Sequence, residues 1–202
     1  MLGLGNSLSG GAIIDKFSSF AGSFDGSADF VLLPEVAALK PTAALSISLW
    51  AKPNAWDMTN GSNSDYFLGC VSSGGWGIYL ENTGGQATTI NFIIRVDDSG
   101  SGSAGYITAN VNEATTEALT GWNHIAATYD GTTAKLYVNA GTTGVTNATS
   151  ASNAAIVYHA ANSTPVMLGA DAASDTTASD FYHGLLDDVA IFDAALTAGN
   201  IS

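Results

Sequence analysis

The stretch Trp122–Gly141, WNHIAATYDGTTAKLYVNAG, constrains this chain more than any other. It alternates, breaks at Asp130-Gly131 and alternates again, the pattern of a β-hairpin with a tight turn. Side chains along a strand point to opposite faces in turn. Ile125, Ala127 and Tyr129 therefore share one face of the first arm, opposite His124, Ala126 and Thr128. In the second arm Leu136 and Val138 oppose Lys135, Tyr137 and Asn139. Both faces are only weakly polar, which places the hairpin inside a two-sheet sandwich.

The rest of the chain reads in the same period. Ser19–Pro34, SFAGSFDGSADFVLLP, is a strand, a turn at Asp25-Gly26 and a second short strand. In ALSISLWAKP, residues 44–53, Leu45, Ile47 and Leu49 oppose Ser46, Ser48 and Trp50, and Pro53 ends the ladder or marks an edge. DYFLGCVS and GWGIYLEN form a second hairpin, and TTINFIIRV, Tyr106–Val111, AIVYHA, PVMLGAD and FYHGLLDDVAIF add further strands. About a dozen short strands with turn chemistry every ~8–12 residues, and no amphipathic helix before the last residues, predict an antiparallel sandwich or jelly roll. Residues 1–18 are Gly/Ser-rich and read as an extended N-terminal arm with Leu2, Leu4, Leu8, Ile13 and Ile14 as its apolar points. Residues 19–202 read as one sandwich domain.

Composition removes several function classes. Eighteen acidic against five basic residues give a net charge of −13. That surface repels phosphate and anionic lipid, so neither nucleic acid nor membrane insertion is expected. No apolar run approaches the roughly 20 residues needed to span a bilayer. The start MLGLGNSLSGGAII has no basic region and does not read as a secretory signal. Cys70, the only cysteine, excludes an internal disulfide, and its apolar run YFLGCV marks it as a buried core residue.

No catalytic residues are expected. A glycosidase pair needs two carboxylates on one face of a strand. Asp187 and Asp188 are adjacent and point to opposite faces, and no glutamate has a partner at i+2. No Ser–His–Asp arrangement forms around His124, His159 or His183, and His124 reads as structural. Trp56, Trp76, Tyr79 and Tyr106 lie near expected loops. Such aromatics either stack on sugar rings or bury ~150–250 Å² each in the core. Trp56 and Trp76 are the glycan-binding candidates.

SFDGSADFVLLP, LSISLWAKP with GWNHIAATYDGTTAKLYVNAG, and LGA with FYHGLLDDVAIFDAALT together resemble the laminin-G-like, concanavalin A-like jelly-roll family from about Ser19 to Thr197. The chain departs from the family at Asn139-Ala140-Gly141, where Asn-Gly or Asp-Gly is common. The resemblance implies an all-β, two-sheet antiparallel jelly-roll sandwich and a calcium ion at its edge. The matching carboxylates are Asp25, Asp29 and Asp187, brought together by pairing of the first and last strands. Parity puts Asp187 with Val189 and Ile191, partly inward. The alternative for Asp25 is to cap its own turn. MLGLGNSLSGG further resembles the start of virion structural proteins of marine tailed bacteriophages. That resemblance implies a non-enzymatic capsid-decoration, head-fibre or tail protein located in the virion. Its partners would be other virion proteins, a host surface glycan and further copies of itself, with a trimer expected from virion symmetry. The other reading is a lectin-like carbohydrate-binding module of a secreted or cell-surface protein.

Overall fold

Two six-stranded antiparallel sheets face each other across a shared apolar interior. The computed structural model describes residues 20–54, 64–71, 74–82, 87–96, 105–112, 121–139, 146–149, 154–158, 165–174 and 177–201. The expected N-terminal arm, residues 1–18, lies outside them. The strands are β1 Gly22–Asp25, β2 Val31–Leu32, β3 Leu45–Pro53, β4 Ser64–Gly69, β5 Trp76–Asn82, β6 Ala87–Arg95, β7 Tyr106–Asn112, β8 Asn123–Tyr129, β9 Thr133–Val138, β10 Thr146–Thr149, β11 Met167–Leu168, β12 Asp171–Ser174, β13 Thr177–Ser179 and β14 His183–Phe192. The first sheet runs β1-β14-β3-β8-β9-β10 and the second β2-β11-β4-β5-β6-β7, with β12-β13 a separate pair. Helix is confined to a 3-10 turn, Ala37–Leu39, and a final turn, Ala198–Ile201, among the described residues. The all-β sandwich expected from alternation is what the chain forms.

The organising hairpin is β8–β9. Gly131 takes φ +89°, and the Asp130 carboxylate accepts the N–H groups of Thr132 and Thr133 at 2.9 and 2.7 Å. Asp and Gly thus act as a side-chain-closed turn. Ile125 pairs with Val138 and Ala127 with Leu136, and all four are buried, as their parity requires. Leu45, Ile47, Leu49 and Ala51 extend this inner row onto β3. Ile78, Leu80, Ile90, Phe92, Ile94 and Val111 meet it from the second sheet. Cys70 belongs to the same core, and burial pushes its thiol up to about 12. It is no nucleophile at neutral pH.

Two segments depart from simple alternation. The described part of AIVYHA, Ala155–Tyr158, and Ala154 before it form no strand. Their N–H groups go to three separate elements, Ala154 to Gly131 O, Ile156 to Thr42 O and Val157 to Arg95 O, at 2.7–2.9 Å. A segment satisfied by three unrelated partners cannot run along one ladder. In β14, Asp187 faces Trp50 while Ala190 faces Ser48, so one extra residue is inserted; Asp188 sits there at φ +47°. This β-bulge reverses the parity on either side of it. Ile191 faces Ile47 on the inner side, but Asp187 lies on the outer face with the outward Trp50. The expectation that Asp187 points inward with Val189 and Ile191 fails for that reason.

Gly169 links the sheets where its N–H donates to Phe67 O and its C=O accepts the N–H of Tyr182, both at 2.9 Å. Its φ is +77°, and a Cβ there would run into the Phe24 ring. Gly169→Ala is expected to cost about 2–4 kcal/mol from left-handed strain and overpacking. A lowered denaturant midpoint with an unchanged slope checks it.

Candidate functional site

The outer face of β3 carries the first exposed aromatic. Its inward residues are aliphatic, so the alternate positions Ser46, Ser48, Trp50 and Lys52 must face away from the core. At one end the chain after β14 packs over Ser46, which donates to Ala194 O at 2.6 Å and accepts the Leu196 N–H at 2.8 Å, while Phe192 opposite Ser46 is 40% exposed. At the other end Trp50 is 40% exposed. Trp50 pairs directly with His124 on β8, and the two rings lie 5.3 Å apart at 42°. Two residues before His124, Trp122 continues the outward parity and is 41% exposed. Trp50 on β3 and Trp122 just before β8 are thus diagonal neighbours, with Cα atoms about 7–8 Å apart.

A hydrogen-bonded frame holds this end in place. Ser48 Oγ lies 2.9 Å from His124 Nε2. The His124 N–H donates to Asn139 Oδ1 at 3.0 Å, Asn139 Nδ2 donates to Asn123 Oδ1 at 2.9 Å, and Asn123 Nδ2 donates to Gly121 O at 2.9 Å. Asn139 adopts φ +52°, a conformation asparagine tolerates. The chain ties the Trp122 segment to the end of β9. Burial lowers the His124 pKa below its ordinary 6.5, so the ring is neutral at pH 7. A histidine with a depressed folded pKa binds its proton more readily when unfolded. Its contribution is present above about pH 6.5 and is lost as pH falls below that value. Wild type is expected to lose stability between about pH 7 and pH 5, and His124→Gln to flatten that part of the profile. Thermal melts of both proteins across this range provide the check.

Beside Trp50, Ser23, Phe24, Lys52, Asn54, Gly184 and Leu185 line an open pocket of about 120 Å³. Asn54 Nδ2 lies 3.0 Å from His183 Nε2, and the Asn54 N–H donates to His183 O at 3.0 Å. Lys52 pairs across to Leu185. Flat exposed indoles next to a small polar pocket can stack on the apolar face of a ring and hydrogen-bond its substituents.

The sequence-derived site residues fall elsewhere. Trp76 is 0% exposed in the core, so its indole offers no face to a ligand; it lies on the inward side of β5 with Ile78 and Leu80. Trp56 lies outside the described residues. β1 and β14 do pair, but Asp25 faces His183 while Asp187 is four residues further along β14, about 13 Å away by strand rise. Asp25 Oδ1 instead accepts the N–H groups of Ser27, Ala28 and Asp29 at 2.8, 3.0 and 3.2 Å, and these bonds hold its carboxyl below the usual range. It caps its own turn. Among the described residues no group of three or more His, Cys, Asp or Glu side chains converges, and the β1–β14 register holds Asp25 apart from Asp187.

The outer face of the second sheet is filled. Tyr66 and Tyr79 stack at 4.7 Å and 20°, and a Cβ on Gly77 would come within 2.8 Å of the Tyr66 ring. Burial pushes the Tyr79 hydroxyl up to about 12. Arg95, buried, lies 5.3 Å from the Tyr106 ring centre and donates to its hydroxyl at 3.2 Å. These aromatics are packing.

Two antiparallel sheets in this order define a jelly-roll β-sandwich. Residues 25–202 match the family model described as the Concanavalin A-like lectin/glucanases superfamily, and the chain belongs to that superfamily. No curated protein matches it in sequence. Among solved structures it is similar to mouse laminin α1 chain domains LG4-5, with 17% identity, TM-score 0.57 and coverage of 88% of this chain but 44% of that one. It is also similar to the CBM40 of Ruminococcus gnavus IT-sialidase bound to α2,3-sialyllactose, with 15% identity, TM-score 0.58, and 82% and 83% covered. Domain 4 of AbnA, a GH43 extracellular arabinanase from Geobacillus stearothermophilus in complex with arabinotriose, gives 20% identity, TM-score 0.56, and 95% and 80% covered. At these identities the likeness concerns the fold.

Proposed function

We propose that the domain is a non-catalytic, lectin-like binding module that holds a glycan on the outer face of its first sheet. The observation that carries this reading is the pair of exposed tryptophans on one face, Trp50 on β3 and Trp122 just before the adjacent β8. Large aromatics are normally buried, and two exposed side by side on a rigid, hydrogen-bonded frame mark a binding surface. Two structural neighbours, the sialidase CBM40 and the arabinanase domain, were solved with oligosaccharides, which supports the ligand class. A glycan array probed with the full chain tests it. Binding to a defined sugar that Trp50→Ala removes is the expected result; an array without signal would overturn the reading.

A second reading sets this module in a virion, bound to copies of itself and to capsid or tail proteins. It is favoured by an apolar edge: Phe30, Val31, Leu32 and Val36 are all exposed, and β2 is the outermost strand of its sheet. Open apolar edges are natural contacts between copies of a chain. The two readings are compatible, a host surface glycan being the ligand of a virion-displayed module. Stoichiometric copies in purified particles, and a trimer in sedimentation that Leu32→Glu dissociates, are the expected results.

A further inference from the structure

Five cationic side chains serve a chain with 18 acidic ones. Lys40 is paired with Glu35 at 3.1 Å, and Arg95 is buried against Tyr106. Lys52 has no ion-pair partner among the described residues, despite the abundance of carboxylates. It projects from the outer face two residues beyond Trp50 on the same strand. The pair Ala51–Asn123 puts it next to the Trp122 position, and the 120 Å³ pocket lies at its side. An ammonium without an ion-pair partner among the described residues thus lies near two exposed indoles and beside a pocket lined by Ser23 and Asn54.

We propose that this pocket is the subsite for a carboxylate-bearing sugar, a uronic or sialic acid. Lys52 receives the carboxylate, Asn54 and Ser23 hydrogen-bond it, and Trp50 stacks on the ring. The inference rests on the glycan-binding reading of the same face. The charges around the pocket select a monovalent anion. Asp187 shares the outer face across from Trp50, Asp25 lies opposite His183 on β1, and His183 is engaged with Asn54. With a net charge of −13, this surroundings penalises a phosphate or a polysulfated chain more than a single carboxylate.

The probes are polygalacturonate, alginate, hyaluronan and sialyllactose fragments, each compared with its carboxyl-reduced form by calorimetric titration of the full chain. At least one acidic glycan is expected to bind about tenfold or more tighter than its reduced partner, as for a charge-assisted hydrogen bond. Raising the salt should weaken the acidic ligand alone. Lys52→Gln should erase the preference for the acidic form over its reduced partner, and Lys52→Arg should retain it. Equal binding of acidic and reduced forms, or a preference that survives Lys52→Gln, overturns the subsite while the stacking face stands. No binding by any probe overturns the subsite, and an empty neutral-glycan array beside it takes down the stacking face too. Melting curves of Lys52→Gln that match wild type exclude a folding origin for the loss.

Discussion

Replacing Trp50 with alanine is expected to lower glycan affinity at least about thirtyfold and to leave the melting temperature within a few degrees of wild type. The first figure follows from interface statistics: a tryptophan anchor costs about 2 kcal/mol or more when truncated, and each ~1.4 kcal/mol is tenfold. The second follows from its position. Trp50 pairs on both sides through backbone to β8 and β14, bonds that alanine keeps, and its indole is 40% exposed. What remains at stake is strand propensity and the contact with His124, together about 1 kcal/mol. Trp122→Ala should act in the same direction, with less effect on stability because Trp122 precedes β8. Titration with the array's best ligand, together with thermal melts, separates the two effects.

Trp76→Ala should do the opposite. The indole has 0% exposure and sits opposite Ile94 between Ile78 and the core of the second sheet. Truncating a buried aromatic removes its transfer energy and leaves a cavity, about 3–5 kcal/mol. Against a typical stability of ~5–15 kcal/mol that is a large fraction. For a chain of this size it corresponds to a drop of about 6–20 °C in melting temperature. Any loss of binding in this variant should track the loss of folded protein. Calorimetric melts and circular dichroism provide the measurement.

The contrast between these tryptophans shows how far alternation carries. The strands β3, β5, β6, β8 and β9 are legible because their periods are unbroken and their inner faces are aliphatic. The burial of Ile125, Leu136 and Val138 follows directly. The exposure of Trp50 was legible too: it shares a face with Ser46 and Ser48, opposite Leu45, Ile47 and Leu49. A tryptophan in phase with serines is the signal for this site, whereas nearness to a loop pointed to Trp76, which the parity of β5 turns inward. Two features were not legible. The bulge at Asp188 depends on a single inserted residue and a positive φ, with no turn chemistry in LLDDVAIF to announce it. The register of β1 against β14 is a long-range choice that separates Asp25 from Asp187, and only the assembled sheet reveals it.

Glycan binding on the Trp50–Trp122 face is read most directly from the indole signals. The chain has four tryptophans, hence four indole N–H resonances, assignable by single substitution. Titration of the best-binding oligosaccharide, followed by two-dimensional nitrogen–proton NMR, should shift the Trp50 and Trp122 signals in a saturable way while Trp76 stays still. A ligand that saturates the protein without moving Trp50 or Trp122 would contradict the account.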